Sequence, residues 1–270
     1  MTFRNGRSRD ATASADPWAT VTGIIAVVSL PVRPSIQRVL VVEHESDSGA
    51  AMLGQRAEQL GFTVDVVTPN TGIPRSAAGY VMVMPMGAAP SVNDDHIQPW
   101  LVDETALLKD ADERGVPIFG VCFGAQALAV ALGGSVTRAS KPEIGWFTVD
   151  TDDPTFIPPG PWFEWHVDAI TPPPGATVLA STDVCIQAYT IGRHLAVQFH
   201  PEVTDNEISQ WSEGGGQTLH ELGIDASAML QQTRELLPAA RGRANELFDA
   251  FLVHARLTAP ETTDLPPVGR

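Results

Sequence analysis

Short apolar runs rich in β-branched residues alternate with segments of helical periodicity between residues 38 and 132, and this alternation is the strongest constraint on the fold. Strands are predicted over 38–42, 62–67, 80–84 and 116–121, and helices over 52–60, 100–114 and 123–132. Continuous apolar strands are typical of parallel sheets that are buried on both faces. We therefore predict an α/β fold with a mostly parallel sheet and helices on both faces.

The sequence changes after Gly134, where β-branched residues and prolines become more frequent. Further strands are predicted over 146–149, 176–180, 184–190 and 194–199, which indicates a small antiparallel extension of the sheet. Helical periodicity returns over 227–256, and Pro238 and Gly242 predict two helices there. We predict one domain over residues 37–258, a loosely ordered extension over residues 1–36 and a flexible tail over residues 259–270.

The charge of the chain argues against a nucleic-acid partner. Thirty-two acidic and 17 basic residues give a formal charge of −15, and such a surface does not neutralise phosphates.

The two cysteines, Cys122 and Cys185, do not indicate a disulfide framework in a chain of this length. An apolar run over 21–32 is too short to span a bilayer as a helix, and no small-x-small cleavage site follows it. We predict a cytoplasmic protein without a membrane partner.

A cysteine at a predicted strand-to-helix turn is the candidate nucleophile. Segment 120–126 reads Gly-Val-Cys-Phe-Gly-Ala-Gln, so Cys122 has a glycine two residues away on each side. Small neighbours permit a sharp turn that lifts the side chain above the sheet. The unpaired amides at the start of the helix favour the thiolate. The alternative interpretation is a buried cysteine that acts as a small apolar residue, and Cys185 fits that interpretation.

A histidine and a glutamate at the end of a later strand supply the other groups that such a nucleophile needs. Segment 198–202 reads Gln-Phe-His-Pro-Glu. Residues two apart in extended chain point the same way, so Glu202 can fix the tautomer of His200. His200 can then take the thiol proton and deliver it to a leaving group. Together with Cys122, the pair predicts an enzyme with a Cys-His-Glu triad.

These two segments resemble the motifs of the class I glutamine amidotransferases, particularly of members similar to the amidotransferase domain of GMP synthase. The resemblance extends over roughly residues 38–255 and includes Glu-Ile-Gly-Trp at 143–146, Trp-His-Val-Asp at 165–168 and Gln-Ala-Tyr-Thr-Ile-Gly at 187–192. It implies a flavodoxin-like fold. It also implies that Cys122 attacks the carboxamide of glutamine, that ammonia leaves, and that water hydrolyses the glutamyl thioester.

The resemblance further implies the groups that bind the oxyanion and the substrate. The amide of Phe123 is expected to donate to the oxyanion, together with a turn that is Gly-Gly-Pro in relatives. Here that turn reads Gly-Ala-Ala from Gly87, so Ala88 stands at the second glycine, and a requirement for positive φ there would shift the turn. Gln126 is expected to orient the substrate. Val167 replaces a glycine and is expected to narrow the pocket.

Trp165 and His166 are assigned to the lining of the same pocket. His166 and Asp168 alone are too few ligands for a metal site, so we predict neither a metal nor a cofactor. Trp162 and Trp165, with prolines nearby, predict a packed loop. The glycine run over 214–216 predicts a connector rather than a phosphate-binding loop. The sequence assigns no partner or function to the remaining histidines, which are His44, His96, His194, His220 and His254.

Three functions remain open from the sequence. The first is a glutamine amidotransferase that supplies ammonia to a separate ATP-dependent synthetase, because the 270 residues leave no room for one. The second is a hydrolase or transpeptidase of γ-glutamyl amides or peptides, suggested by Ala88 and Val167. The third is a noncatalytic binding module on the same fold, suggested by Ala88 alone.

Overall fold

The computed structural model describes residues 36–260. The predicted extension over residues 1–36 and the predicted tail over residues 259–270 therefore lie outside the described residues, apart from residues 36, 259 and 260. The proposed domain boundaries stay predictions. Among the described residues, no helix combines the length and the apolar composition that crossing a lipid bilayer requires.

The predicted parallel sheet is confirmed. Its parallel strands, in spatial order, are β2 (Thr63–Val67), β1 (Arg38–Val42), β3 (Met82–Pro85), β4 (Phe119–Val121) and β10 (His194–Val197). A single parallel bridge between Val83 and Ile118 joins β3 to β4. All residues of β3, β4 and β10 are buried, as expected for strands that are covered on both faces.

The antiparallel extension continues from β10. It contains β9 (Ile186–Ile191), β8 (Thr177–Ser181) and β6 (Asp150–Thr151). A separate two-stranded ribbon pairs β5 (Ser135–Thr148) with β7 (Pro161–Thr171). The predicted loop around Trp162 and Trp165 is wrong, because both residues lie on β7 and its backbone pairs with β5. Each indole packs against another ring, Trp162 on Phe199 at 4.6 Å and Trp165 on Trp211 at 5.9 Å.

Helices cover both faces of the sheet. They are α1 (Ala51–Gln59), α2 (Gln98–Arg114), α3 (Phe123–Ala131), α4 (Asp205–Gly214), α5 (Gly216–Glu221) and α6 (Ala226–His254). One apolar core includes Leu53 of α1 and Phe251 of α6, and a second includes Leu108 of α2 and Leu128 of α3. The layered α/β architecture predicted from the sequence is thus confirmed.

The prediction of two helices over 227–256 is wrong, because α6 runs without interruption for 29 residues. Pro238 is exposed, so the carbonyl that its missing N–H leaves free can be solvated. The buried residues of α6 keep a three- and four-residue spacing on both sides of Pro238, and include Met229, Thr233, Ala240 and Ala244. Packing of this continuous stripe outweighs the local cost of the proline.

Gly242 lies in an exposed position inside α6, with no atom within 4 Å of the point where a Cβ would stand. We expect Gly242→Ala to raise the free energy of unfolding by about 0.5–1 kcal/mol, because alanine loses less backbone entropy in a helix. Urea unfolding would measure it. Gly223→Ala is the matched control, since its site is equally open but its φ is +68°. This control should lose about 1–2 kcal/mol, and equal effects of both substitutions would contradict the explanation.

Candidate active site

Cys122 occupies a strained turn between β4 and α3. Its φ is 50° and its ψ is −108°, a conformation that non-glycine residues rarely adopt. Its backbone N–H donates to the carbonyl of Val197 at 2.8 Å. A Cβ atom at Gly124 would collide with the Pro85 carbonyl, and one at Gly120 would lie 2.9 Å from the Gly124 backbone. The flanking glycines are therefore needed because the backbone passes too close for a side chain.

His200 and Glu202 form a buried pair beside this turn. The ring Nδ1 lies 2.7 Å from the Glu202 Oε1, and the His200 N–H donates to the Phe163 carbonyl at 2.8 Å. His200 Nε2 has no hydrogen-bond partner in the described part of the chain. A Cβ atom at Gly87 would lie 3.1 Å from His200 Cε1 and 3.9 Å from Cys122 Cβ. The imidazole and the cysteine thus face the same point, with Nε2 available for proton exchange.

The charges around His200 favour its protonated form. Complete burial opposes a charge on the ring, but the Glu202 carboxylate and the Cys122 sulfur outweigh burial and hold the pKa of His200 well above its ordinary value. A protonated imidazole beside Cys122 holds a proton that it can deliver to a leaving group.

Two backbone amides near Cys122 are available to an oxyanion. The N–H of Phe123 opens α3 and so has no partner within the helix. The N–H of Ala88 has no hydrogen-bond partner among residues 36–260. Ala88 does not adopt positive φ, which among the described non-glycine residues occurs only at Ala51, Cys122 and Arg256. The alanine therefore fits this turn without the strain expected from the sequence.

Gln126 lies next to the nucleophile, but its amide has a protein partner. Its Nε2 donates to the Oε1 of Gln198 at 3.2 Å, and the Nε2 of Gln198 contacts the sulfur of Cys122 at 3.5 Å. Both glutamines are buried. Sequence reasoning assigned no role to Gln198, although it belongs to the segment that contains His200. Gln198 directly follows β10, which pairs with β4, and this position is the signal that identifies it.

His166 belongs to a buried hydrogen-bonded network beside the site, and it also lines one of the cavities that reach Cys122. Its Nδ1 lies 2.9 Å from the Asp168 carbonyl, and its Nε2 lies 3.2 Å from Glu143 and 3.4 Å from Glu164. Burial lowers the pKa of His166, but the two carboxylates outweigh burial and raise the pKa to about 10. Burial raises the pKa of Glu164 to about 6. The buried charge of His166 is thus stabilised by its contacts with the Glu143 and Glu164 carboxylates.

Cys185 contributes to the same network, so its assignment as a small apolar residue is wrong. It is half-buried, and its sulfur contacts Glu143 at 3.6 Å. Glu143, His166 and Cys185 offer ligand atoms within 4.8 Å of one another. However, the amide of Gln187 donates to Glu143 at 2.9 Å and lies 3.5 Å from the Cys185 sulfur. The amide of Gln187 is a hydrogen-bond donor inside this cluster. Hydrogen bonds to it therefore explain why Glu143 and Cys185 lie close together.

Two cavities meet at Cys122. The first has a volume of about 370 Å³, and its lining includes Glu45, Asp47, Trp211 and the predicted site residues Gly87, Ala88, Trp165 and His200. The second has a volume of about 320 Å³, and its lining includes Asp94, Arg138, Asp168 and the predicted residues Ala88, Phe123, Gln126, Trp165, His166 and Val167. Arg138 and Asp168 give the second cavity groups of both charges, 3.7 Å apart.

Comparison with known protein families matches residues 43–210 to the family described as Glutamine amidotransferase class-I. The match covers more than half of the chain. The chain belongs to the class I glutamine amidotransferase family. This confirms the resemblance stated from segments 120–126 and 198–202.

Relatives of this chain include proteins named GMP synthase [glutamine-hydrolyzing]. The protein of Thermosynechococcus vestitus is 42% identical over 180 residues, which cover 62% of this chain and 32% of the relative. The protein of Aeropyrum pernix is 34% identical over 180 residues, which cover 64% of this chain and 34% of the relative. The protein of Stenotrophomonas maltophilia strain K279a is 36% identical over 113 residues, covering 37% of this chain and 22% of the relative. The chain thus spans about a third or less of these relatives.

Solved structures of glutamine amidotransferases share the fold. The protein of Thermotoga maritima has a TM-score of 0.73 at 24% identity, with 80% of this chain and 98% of that chain covered. The protein of Methylobacillus flagellatus has a TM-score of 0.76 at 23% identity, with 86% and 100% covered. At this identity the likeness concerns the fold alone.

The raised pKa of His166 predicts how the stability of this protein depends on pH. Between about pH 6.5, the ordinary pKa of histidine, and about pH 10, the folded state holds a proton that the unfolded state releases. The stability from this proton is complete below pH 6.5 and is lost as the pH rises toward 10. Relative to His166→Gln, the wild type should lose up to about 1.4 kcal/mol per pH unit.

Urea unfolding of both proteins at pH 7, 8 and 9 measures this difference. The range lies above the titration of Glu164, whose pKa is about 6. Parallel profiles for the two proteins would show that the network does not hold a charged imidazole.

Proposed function

We propose that this chain hydrolyses the side-chain amide of glutamine through a thioester on Cys122, with His200 and Glu202 completing the triad. The observation that carries the proposal is the convergence of the cysteine and the Glu202-paired imidazole on one point beside Gly87. Within residues 36–260 the N–H groups of Ala88 and Phe123 have no hydrogen-bond partner, and both residues line the second cavity at Cys122. Membership of the class I glutamine amidotransferase family supports this chemistry.

The geometry supports a two-step reaction. The Cys122 sulfur attacks the carboxamide carbon, and the amides of Ala88 and Phe123 donate to the oxygen that becomes negative. His200 delivers a proton from Nε2 to the leaving nitrogen, ammonia departs, and a thioester remains. His200 then takes a proton from water, which attacks the thioester and releases glutamate. Glu202 holds Nδ1 throughout, which keeps Nε2 directed at the reacting atoms.

The second cavity is the proposed site for the amino-acid end of glutamine. A free amino acid carries both a carboxylate and an ammonium group, and this cavity offers Arg138 together with Asp94 and Asp168. Val167 lies in its wall, and we propose that its side chain limits the width available to the substrate. The amide nitrogen of Gln126 already donates a hydrogen bond to Gln198. To contact the substrate through this nitrogen, Gln126 would have to break that hydrogen bond.

We further propose that the ammonia serves a separate ATP-dependent synthetase. The relatives are named glutamine-hydrolysing GMP synthases, and the chain matches only 22% to 34% of their lengths. The name of these relatives joins glutamine hydrolysis to a synthase activity, which supports a synthetase as the acceptor of the ammonia. Capture of partners on the wild-type protein, followed by ammonia-dependent synthesis assays with each partner, tests this assignment.

Replacement of the candidate nucleophile should abolish the reaction. We expect Cys122→Ser to lower ammonia release from glutamine by at least about 10³-fold, because the hydroxyl is a much weaker nucleophile in a site arranged for a thiolate. Cys185→Ser is the matched control and should retain most of the activity, since the sulfur of Cys185 contacts Glu143 and not the cavities. Coupled detection of glutamate and ammonia measures both variants. Wild-type turnover by Cys122→Ser would exclude the proposed mechanism.

Hydrolysis of larger γ-glutamyl compounds is the second candidate function. The observation that favours it is the first cavity, whose roughly 370 Å³ beside Cys122 exceeds what departing ammonia needs. If glutamine is the substrate, kcat/KM for glutamine should exceed that for γ-glutamyl alkylamides by at least about tenfold. A preference for the γ-glutamyl alkylamides would indicate that the first cavity binds a leaving group larger than ammonia.

A noncatalytic module on this fold makes a different prediction. A glutamine-mimicking electrophile would then leave Cys122 unlabelled, whereas the proposed enzyme should be labelled at Cys122 and protected by glutamine. Mass spectrometry of the modified peptide distinguishes these outcomes.

A further inference from the structure

A buried histidine outside the triad holds the turn that carries Ala88. His44 lies two residues after β1, and its Nδ1 is 2.9 Å from the carbonyl oxygen of Gly87. Its Nε2 is 2.9 Å from Oε2 of Glu104, on α2. The side chains of His44 and Glu104 are 1% and 0% exposed. The pair therefore connects α2 to the turn from inside the protein.

The hydrogen bond to Gly87 determines the direction of the next amide. A carbonyl oxygen only accepts, so Nδ1 of His44 must carry the proton. In a trans peptide the C=O of Gly87 and the N–H of Ala88 point in opposite directions. The Ala88 N–H therefore points away from His44, and Ala88 lines both cavities that meet at Cys122.

The neighbouring backbone groups are also held. The N–H of Met86 donates to Val42 at 3.0 Å, and its carbonyl accepts from Gly124 at 3.1 Å. The N–H of Ala89 donates to Glu45 Oε1 at 3.3 Å. Between these anchors, the N–H of Ala88 is without a partner among residues 36–260. A donor left free between four held groups is the arrangement that a preorganised oxyanion site requires.

Stability is a weak explanation for a buried ion pair of this kind. Burial of two charged groups is costly, and an apolar pair of the same size often stabilises a protein equally well. Glu104 Oε1 has no hydrogen-bond partner within the described residues. His44 packs against aromatic rings, with Trp100 at 5.0 Å and Phe123 at 4.9 Å. Its ring thus contacts Phe123, whose amide is the other oxyanion donor, as well as the Gly87 carbonyl.

We propose that His44, supported by Glu104, is a positioning residue that fixes the Gly87–Ala88 peptide with its N–H toward the oxyanion. The inference rests on the proposed function of the triad. Neither side chain touches the reacting atoms, so both act through the peptide. The hydrogen bond from His44 sets the orientation of the Gly87–Ala88 peptide. Without it, this orientation would depend on the backbone preferences of Ala88 alone.

Two amide variants of His44 separate the two contacts. The side-chain nitrogen of His44→Asn reaches the place of Nδ1 and can donate to Gly87, whereas that of His44→Gln reaches the place of Nε2 and can contact only Glu104. Loss of one oxyanion donor costs about 10²–10³ in kcat, and a misdirected donor should cost less. We expect His44→Gln to lower kcat about 10- to 100-fold with KM changed less than about threefold, and His44→Asn to stay within about fivefold of wild type.

Alkylation of Cys122 by iodoacetamide is the internal control, because this displacement forms no oxyanion. Its rate should stay within about twofold of wild type in both variants, as expected when the thiolate and its imidazole are intact. A parallel loss of alkylation and turnover, or equal losses in His44→Asn and His44→Gln, would show a merely structural role and overturn the proposal. If one of the two His44 variants fails to fold, both substitutions are compared again in a Glu104→Gln background. In that background no unpaired carboxylate is buried beside position 44.

Crystal structures of the two variants give a readout that does not depend on the substrate. The Gly87 carbonyl should turn from its present direction in His44→Gln and keep it in His44→Asn. An unchanged Gly87–Ala88 peptide in His44→Gln overturns the inference. If the wild type hydrolyses neither glutamine nor a γ-glutamyl amide, the proposed function fails, and this peptide orientation still decides whether His44 positions the turn.

Discussion

The parallel pairing of β4 with β10 is the constraint on which the rest of the site depends. Val197 lies opposite Val121, so both strands end at the same edge of the sheet. The N–H of Cys122 donates to Val197, which ties the strained turn to the neighbouring strand. Three residues beyond Val197 the chain reaches His200. One stretch of backbone hydrogen bonds thus brings together two side chains that are 78 residues apart in the sequence.

Three groups of buried ionisable side chains lie near the site. His200 pairs with Glu202, His166 with Glu143 and Glu164, and His44 with Glu104, as shown by their short contacts. Each group contains a histidine with a buried side chain that contacts a carboxylate. Such pairs cost desolvation energy and gain orientation, because an imidazole with a fixed partner has a fixed ring direction. The site is therefore built from oriented rings around one sulfur.

Much of the fold could be predicted because its signals are local. Apolar strand runs, helical spacing and terminal glycines depend on neighbouring residues, and the α/β layers followed from them. The prediction failed at Pro238, where the buried stripe of α6 outweighs a local helix breaker, and at Trp162 and Trp165, where pairing with β5 makes a strand from a proline-flanked segment. In both cases contacts with distant parts of the chain decide the local structure.

The sequence by itself determined the candidate nucleophile, its histidine and its glutamate, because Cys122 needs nearby glycines and Glu202 lies two residues from His200. Only the tertiary structure decided which isolated polar residues would meet them. His44 and Glu104 are 60 residues apart, and Gln126 and Gln198 are 72 apart. No local pattern distinguishes such residues from surface residues. Sheet order and helix packing determine which of these residues become neighbours. Their distances in space cannot be read from their separation in the sequence.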